Sequence, residues 1–279
     1  MAIDPVFAGF VFLHSFTVFV TLVRFGLRIK TKRTWWDDFW ALMAVFGTIL
    51  IICNYCILGT YDRSIFSASA QSYFTWSSYM LSPTTLWMAR TSILMTIVYI
   101  LPNGMNRLIT QISAIVFLLF WVAHLLAITF MCGVPVPSNL VCEIPRKTTA
   151  ISLTFELIST AWLMAWPGYL LYRLKPSVAL RNFIITCVVT GAALTALDIG
   201  HAYNLTRAEK TGAIAHYKAL NTTGNLHVLV SLLGANALVF VSHFFPILNL
   251  GSGQSQDGRS SDSGSVNSTD KVKEASAQV

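Results

Sequence analysis

Seven apolar runs divide this chain, and each is long enough to cross a bilayer, which takes about 20 residues of α-helix. They cover Pro5–Arg28, Asp38–Thr60, Ser78–Leu101, Leu108–Met131, Thr149–Tyr172, Asn182–Asn204 and Gly224–Leu248. Hydrocarbon offers no partner to backbone N–H and C=O groups, so such runs must satisfy themselves as helices. The expected fold class is all-α: a polytopic membrane protein, a seven-helix transmembrane bundle over residues 1–250. The third run is the most interrupted, by Ser82, Pro83, Thr84 and Thr85; without it the count is six. A proline there kinks a membrane helix, while neighbours and hydroxyls satisfy the freed carbonyl. From Gly251 to Val279 the chain turns to Gly, Ser, Asp, Gln and Lys. That stretch cannot bury enough apolar surface to order itself, so a disordered cytoplasmic tail is expected.

Composition agrees with this class. Hydrophobic residues make up 54% and charged residues only 11%, where a soluble domain carries about a quarter charged. The formal charge of +7 lies in loops between apolar runs. It reads as a topology signal and as contact with lipid phosphate, so the expected partner is the lipid bilayer and not nucleic acid. The first residues, MAIDPVF, lack a basic start, and the first run ends in cations instead of a cleavage site. That run is therefore expected to be a retained span.

The stretch Arg24–Trp40, RFGLRIKTKRTWWDDFW, carries the clearest orientation signal. Arg24, Arg28, Lys30, Lys32 and Arg33 read as a basic cytoplasmic segment. Trp35 and Trp36 suit the headgroup belt. Asp37 and Asp38 suit the first turn of the next helix, where carboxylates accept from orphan N–H groups and face the positive dipole end. With the amino terminus outside, the inner segments hold twelve cations and the outer loops six, with Arg90 inside a span. The sequons at Asn204 and Asn221 then fall in an outer loop over Leu205–Thr223 and its edge, and are expected glycosylation sites. The expected location is a multi-pass protein of the plasma membrane, amino terminus outside and carboxyl terminus cytoplasmic. Cys132 and Cys142 flank Pro135 and Pro137 in the outer fourth-to-fifth loop, and they are expected to form a disulfide in an oxidising lumen. Cys53, Cys56 and Cys187 lie in apolar runs and read as small buried packing residues.

The chemistry lies in ionisable residues at membrane depth: Arg90, His124, Glu156, Asp198, His201, His227 and His243. An unpaired charge there costs about 2.5–3.5 kcal/mol on insertion scales, so each is a functional candidate. His124, Glu156, Asp198, His201 and His227 fall in the outer third, with Arg90 nearer the middle. Asp198 and His201 are three residues apart and share a helix face. His201, His227 and His243, near span ends, read as interfacial side chains. The expected ligand site is an outward polar pocket of Arg90, His124, Glu156, Asp198 and His201, floored by an ion pair from Arg90 to Asp198 or Glu156. No lysine lies inside a predicted span, which argues against a retinal Schiff base. His124, Asp198, His201 and Glu156 carry zinc donors. However, no His-x3-His pair and no nucleophile motif accompanies them. No catalytic residue, metal or cofactor is expected.

Several segments carry a family resemblance. The pattern R-x3-R, basic cluster, WWDDFWA at the second span resembles the fungal rhodopsin-domain family, seven-span proteins related to fungal pathogenicity receptors, in its mushroom-type members. WMARTSILMTIVYI resembles the family's third span. CEIPRKTTAISLTFELISTAWLMAWPGYLLYRL resembles its fifth, and LRNFIITCVVTGAALTALDIGHAYNL its sixth. The similarity runs over about Phe7–Phe245. Glu156 stands where members usually carry aspartate, and Asn236 stands without the proline of a common Asn-Leu-Pro. The resemblance implies a receptor-like protein that senses an extracellular small molecule or surface cue and acts on a cytoplasmic signalling partner. It does not imply light sensing. No Asp-Arg-Tyr follows the third span, where VYILPNGMNR stands. The reading from another class is a membrane-embedded metal-dependent hydrolase or cyclase.

Overall fold

The computed structural model describes residues 5–60, 67–132, 146–174, 178–211 and 214–252. Among these there are seven α-helices and no strand: α1 (Pro5–Lys30), α2 (Trp36–Thr60), α3 (Ala68–Ile100), α4 (Met105–Cys132), α5 (Arg146–Leu174), α6 (Val178–Thr211) and α7 (Ile214–Ser252). Each helix packs on the next, and α7 closes back on α1. Inside this ring α3 touches α2, α4 and α7.

Five of the helices are long and apolar enough to cross a membrane: Val6–Lys30, Trp36–Ile57, Met105–Phe130, Arg181–Asn204 and Asn221–Val241. The other two, α3 and α5, hold no described stretch that long and apolar, and for α3 burial explains this. Every residue from Thr85 to Leu94 is buried, including Arg90, Thr91 and Ser92 at 0% exposure. A helix segment enclosed by its neighbours meets no lipid, so it tolerates hydroxyls and a charge that a lipid-facing segment excludes. By contrast, only 17% of the α1 window is buried, against 61% for α7. The outer surface presents Phe12, Phe16, Phe19, Phe46, Leu119 and Phe130, as a lipid-facing belt requires. Close contacts rely on missing side chains. Gly47 of α2 leaves room for Thr85 of α3, and Gly234 of α7 for Thr190 of α6; a Cβ at either would overlap the threonine.

The sequence places Arg24 and Arg28 in a basic loop, and the structure corrects this. Both lie within α1 and are buried, at 1% and 5% exposure. One helical turn apart, they share a face and meet Asp37 and Asp38 in the first turn of α2. Arg24 Nη2 lies 2.8 Å from Asp37 Oδ2, and its Nε 3.3 Å from Asp38 Oδ1. Arg28 Nη1 lies 2.9 Å from Asp37 Oδ1 and 3.4 Å from Asp38 Oδ2. Arg24 also donates to the Ala235 carbonyl and the Asn236 amide oxygen of α7, at 3.2 and 3.4 Å. Asn236 in turn donates to Thr21 of α1 at 2.8 Å. From α3, Thr96 donates to Asp37 Oδ2 at 3.1 Å and Ser92 to the Asp37 carbonyl at 2.9 Å. Four helices therefore converge on two buried ion pairs. The remaining cations, Lys30, Lys32 and Arg33, are exposed. The turn that reverses the chain is closed by Lys32 N–H to Ile29 O and Arg33 N–H to Arg28 O, each 3.0 Å, with Lys32 left-handed at φ 53°. Asp38 Oδ2 accepts the Trp35 N–H at 3.2 Å, capping α2.

Other expectations also change. The outer loop over Leu205–Thr223 is largely helix, because α6 runs to Thr211 and α7 starts at Ile214. Asn204 and Asn221 are therefore helical and not in a surface loop, the usual setting of a glycosylated sequon. Asn221 is engaged by Tyr55, whose hydroxyl donates to its Oδ1 at 2.8 Å. Cys187 is buried, whereas Cys53 is exposed on the lipid-facing side of α2 and is not a packing residue. Gly251 and Ser252 extend α7; the remainder of the expected tail lies outside the described residues. So does Cys142, and with it the expected bridge from Cys132.

Removing one partner of a buried ion pair strands the other charge, at a cost of about 3–5 kcal/mol. Arg24→Met should lower the melting temperature markedly. Adding Asp38→Asn, which leaves the Arg28–Asp37 pair balanced, should restore part of the loss. Thermal melts of the three proteins in one detergent check this.

Candidate functional site

The second charged cluster is centred on Arg90. Its position follows from α3, whose burial carries Arg90 into the interior with no route to a headgroup. There the guanidinium must find its partners inside the bundle. Nη1 donates to the Glu156 backbone carbonyl of α5 at 3.2 Å, and also to the Ser159 hydroxyl. Ser159 donates to the same carbonyl at 2.8 Å. On the other branch Nη2 lies 3.6 Å from Asp198 Oδ1 of α6 and 3.0 Å from His227 Nε2 of α7. The guanidinium carbon lies 5.4 Å from the centre of the Trp87 ring, a cation–π distance. Arg90 and Asp198 are both 0% exposed.

Asp198 Oδ2 accepts from Thr160 at 2.8 Å. Its Oδ1 lies 3.0 Å from His227 Nε2, yet no hydrogen bond is aligned on that oxygen, and Arg90 Nε also lacks one. His227 is buried at 3% exposure, so the expectation of an interfacial histidine is corrected. The carboxylates of Glu156 and Asp198 and the His227 ring each bring an atom within 4.8 Å of the others. A divalent ion favours such donors, but here the Arg90 guanidinium already provides a positive charge beside two of them, Asp198 and His227.

The other candidates are distributed around this cluster. His124 of α4 is buried at 7% exposure, feels the charge of Arg90, and has no hydrogen bond on Nδ1. His201 is half-buried, and its Nδ1 lies 3.1 Å from the Thr223 hydroxyl of α7, beside Gly224. His201 does not bond to Asp198, although the two share a face of α6. The cluster thus brings together Arg90, Asp198 and Glu156, adds His227, and leaves His124 and His201 at its edge.

Arg90 and Asp198, at 0% exposure, leave no water-sized space against themselves. Two small cavities elsewhere among the described residues each hold about 10 Å³, the space of one water-sized sphere. One is lined by Ile97, Leu170 and Phe183, the other by Ile93, Leu163 and Leu194. Neither touches Arg90, His124, Glu156, Asp198 or His201; Arg90 and Asp198 are enclosed by side chains, while Glu156 and His201 are half-buried.

A third polar group joins α1, α2 and α7. His14 Nε2 lies 3.2 Å from Asn225 Oδ1, and Asn225 donates to the Tyr55 hydroxyl at 2.6 Å. His14 is buried at 1% exposure; the sequence reading omitted it from the ionisable residues within spans. Its spacing to Arg24 and Arg28 was the available signal, since His14, Thr17, Thr21, Arg24 and Arg28 repeat at three and four and mark one polar stripe.

Comparison with protein-family models, with curated proteins and with solved structures finds no match.

The pairing makes a direct prediction. Arg90→Met leaves Asp198 buried without its cation and should cost about 3–5 kcal/mol. Arg90→Met with Asp198→Asn should recover part of this, whereas Arg90→Met with Glu156→Gln should recover less, because Arg90 bonds the Glu156 backbone and not its carboxylate. Melting temperatures of the single and double variants separate the two acids.

Proposed function

We propose that this chain is a receptor-like integral membrane protein of the fungal rhodopsin-domain type. In this reading it senses an extracellular cue and passes the signal to a cytoplasmic partner. The amino terminus is outside, the carboxyl terminus is cytoplasmic, and the plasma membrane is its location. The observation that carries the reading is the pair of buried charged clusters sharing two helices. Helix α3 contributes Arg90 to one cluster and Ser92 and Thr96 to the other. Helix α7 contributes His227 to the first and Asn236 to the second. A buried ion pair adds little net stability over well-packed apolar residues. Its use lies in specifying one arrangement among several, which a switching bundle needs. A cue that changes the pairing at Arg90 can move α3 or α7 and so bias the Arg24 cluster near the α1–α2 turn.

Retinal chemistry is outside this reading. The only lysine within the five apolar spans is Lys30, the last residue of the first, too close to the membrane edge for a buried Schiff base. The convergence of Glu156, Asp198 and His227 favours the competing reading as a membrane-embedded metal-dependent hydrolase or cyclase.

Two measurements test the proposal. An epitope at Val279 should be detected in cells only after permeabilisation, and surface detection would reverse the orientation. Metal analysis of protein purified without chelator should find no stoichiometric zinc; one zinc per chain, lost in Asp198→Asn, would favour the enzyme.

A further inference from the structure

His227 Nε2 faces two partners with opposite demands. Arg90 Nη2, which can only donate, lies at 3.0 Å. Asp198 Oδ1, a carboxylate oxygen that accepts, lies at the same distance beside it and has no aligned hydrogen bond. One ring nitrogen cannot serve both. Without a proton, its lone pair accepts the Arg90 N–H. With a proton, the lone pair is used, and the new N–H donates to Asp198 Oδ1 once the ring turns toward it.

We propose that His227 is a proton-binding site whose occupancy decides whether this ring is bonded to Arg90 or to Asp198. The inference rests on the receptor reading and names its ligand: the proton. On binding, a proton from water forms an N–H bond at Nε2, and the Arg90 Nη2–H loses its acceptor. The guanidinium then faces a positive ring and retains the Ser159 hydroxyl, the Glu156 carbonyl and the Asp198 carboxylate as its partners. No other bond is made or broken.

Three observations support the assignment. The cluster is filled by side chains, and neither cavity touches it, which suits a proton better than an organic ligand. The titratable and charged groups around His227 are Arg90 from α3, Asp198 and His201 from α6, and Glu156 from α5. On the sides of α1 and α2, His14 and Tyr55 meet Asn225, and Arg24 meets Asn236. Of these, His201 is half-buried and bonds to Thr223 of the same helix as His227. Finally, Arg90 lies over Trp87, so a shift of the guanidinium changes the surroundings of an indole that is itself 0% exposed.

The test is a titration of the full chain in lipid nanodiscs from neutral pH downward, because the neighbouring Arg90 cation opposes a second positive charge on the ring. Tryptophan emission should show one reversible one-proton step. His227→Gln and Trp87→Phe should each abolish it, whereas His14→Gln and His243→Gln should leave it in place. A step that survives in a folded His227→Gln protein overturns the proposal. Because that variant could fail to fold, ¹⁵N NMR of histidine-labelled wild type provides the second arm. The His227 Nε2 signal should move from the unprotonated to the protonated range over the same step, and a signal fixed in either range overturns the proposal. Spin labels at the α1–α2 turn end of α3 and α7 separate this result from the function. A proton step with no change in their distance leaves the proton site standing and removes the receptor reading.

Discussion

A charge withdrawn from water has to meet its opposite, and this bundle is arranged around two places where that happens. Arg24 and Arg28 cannot stay buried in α1 unless α2 turns back and brings Asp37 and Asp38 against them. That need defines the α1–α2 hairpin more sharply than apolar packing does, because apolar contacts are non-directional and tolerate sliding. The side chains that complete the cluster, Ser92 and Thr96 from α3 and Asn236 from α7, place those helices in register at the same level. Arg90 repeats the logic deeper in the bundle, joining α3 to α5, α6 and α7. The most polar faces thus point inward and the apolar faces outward, the reverse of a soluble protein.

This inversion explains why the two clusters share α3 and α7. A helix segment enclosed by its neighbours can carry hydroxyls, an amide or a guanidinium without an insertion penalty, provided those neighbours satisfy them. Helix α3 uses that freedom most, and α7 next. The two are also in contact with each other. A rearrangement at His227 therefore has a short physical route to Asn236 along one helix and to Thr96 along the other. Both endpoints bond into the Arg24 cluster, Asn236 to Arg24 and Thr96 to Asp37.

Helices were readable from the sequence and partnerships were not. Runs of apolar residues announce spans because the bilayer sets their length, and all seven appear as helices close to where the runs lie. The loop expected over Leu205–Thr223 fails because polar helix extending beyond the hydrocarbon looks the same as loop in hydropathy. Arg24 and Arg28 merged with Lys30, Lys32 and Arg33 into one basic cluster, since a charge count does not register which cations face inward. The four-residue spacing that separates them was in view, and so was the stripe from His14 through Thr17 and Thr21. His227 was assigned to the interface by its distance from a span end, yet α7 begins earlier than expected and carries it into the core. The filled state of the Arg90 cluster has no sequence signature, because side-chain packing is a three-dimensional fact.

The central claim is that these charges are buried as ion pairs and not as neutral groups. Infrared difference spectra between wild type and Asp198→Asn, and between wild type and Asp37→Asn, test it most directly in reconstituted protein at neutral pH. The account predicts that each substitution removes an ionised carboxylate band. Loss of a protonated carboxylic acid band in either variant would contradict it.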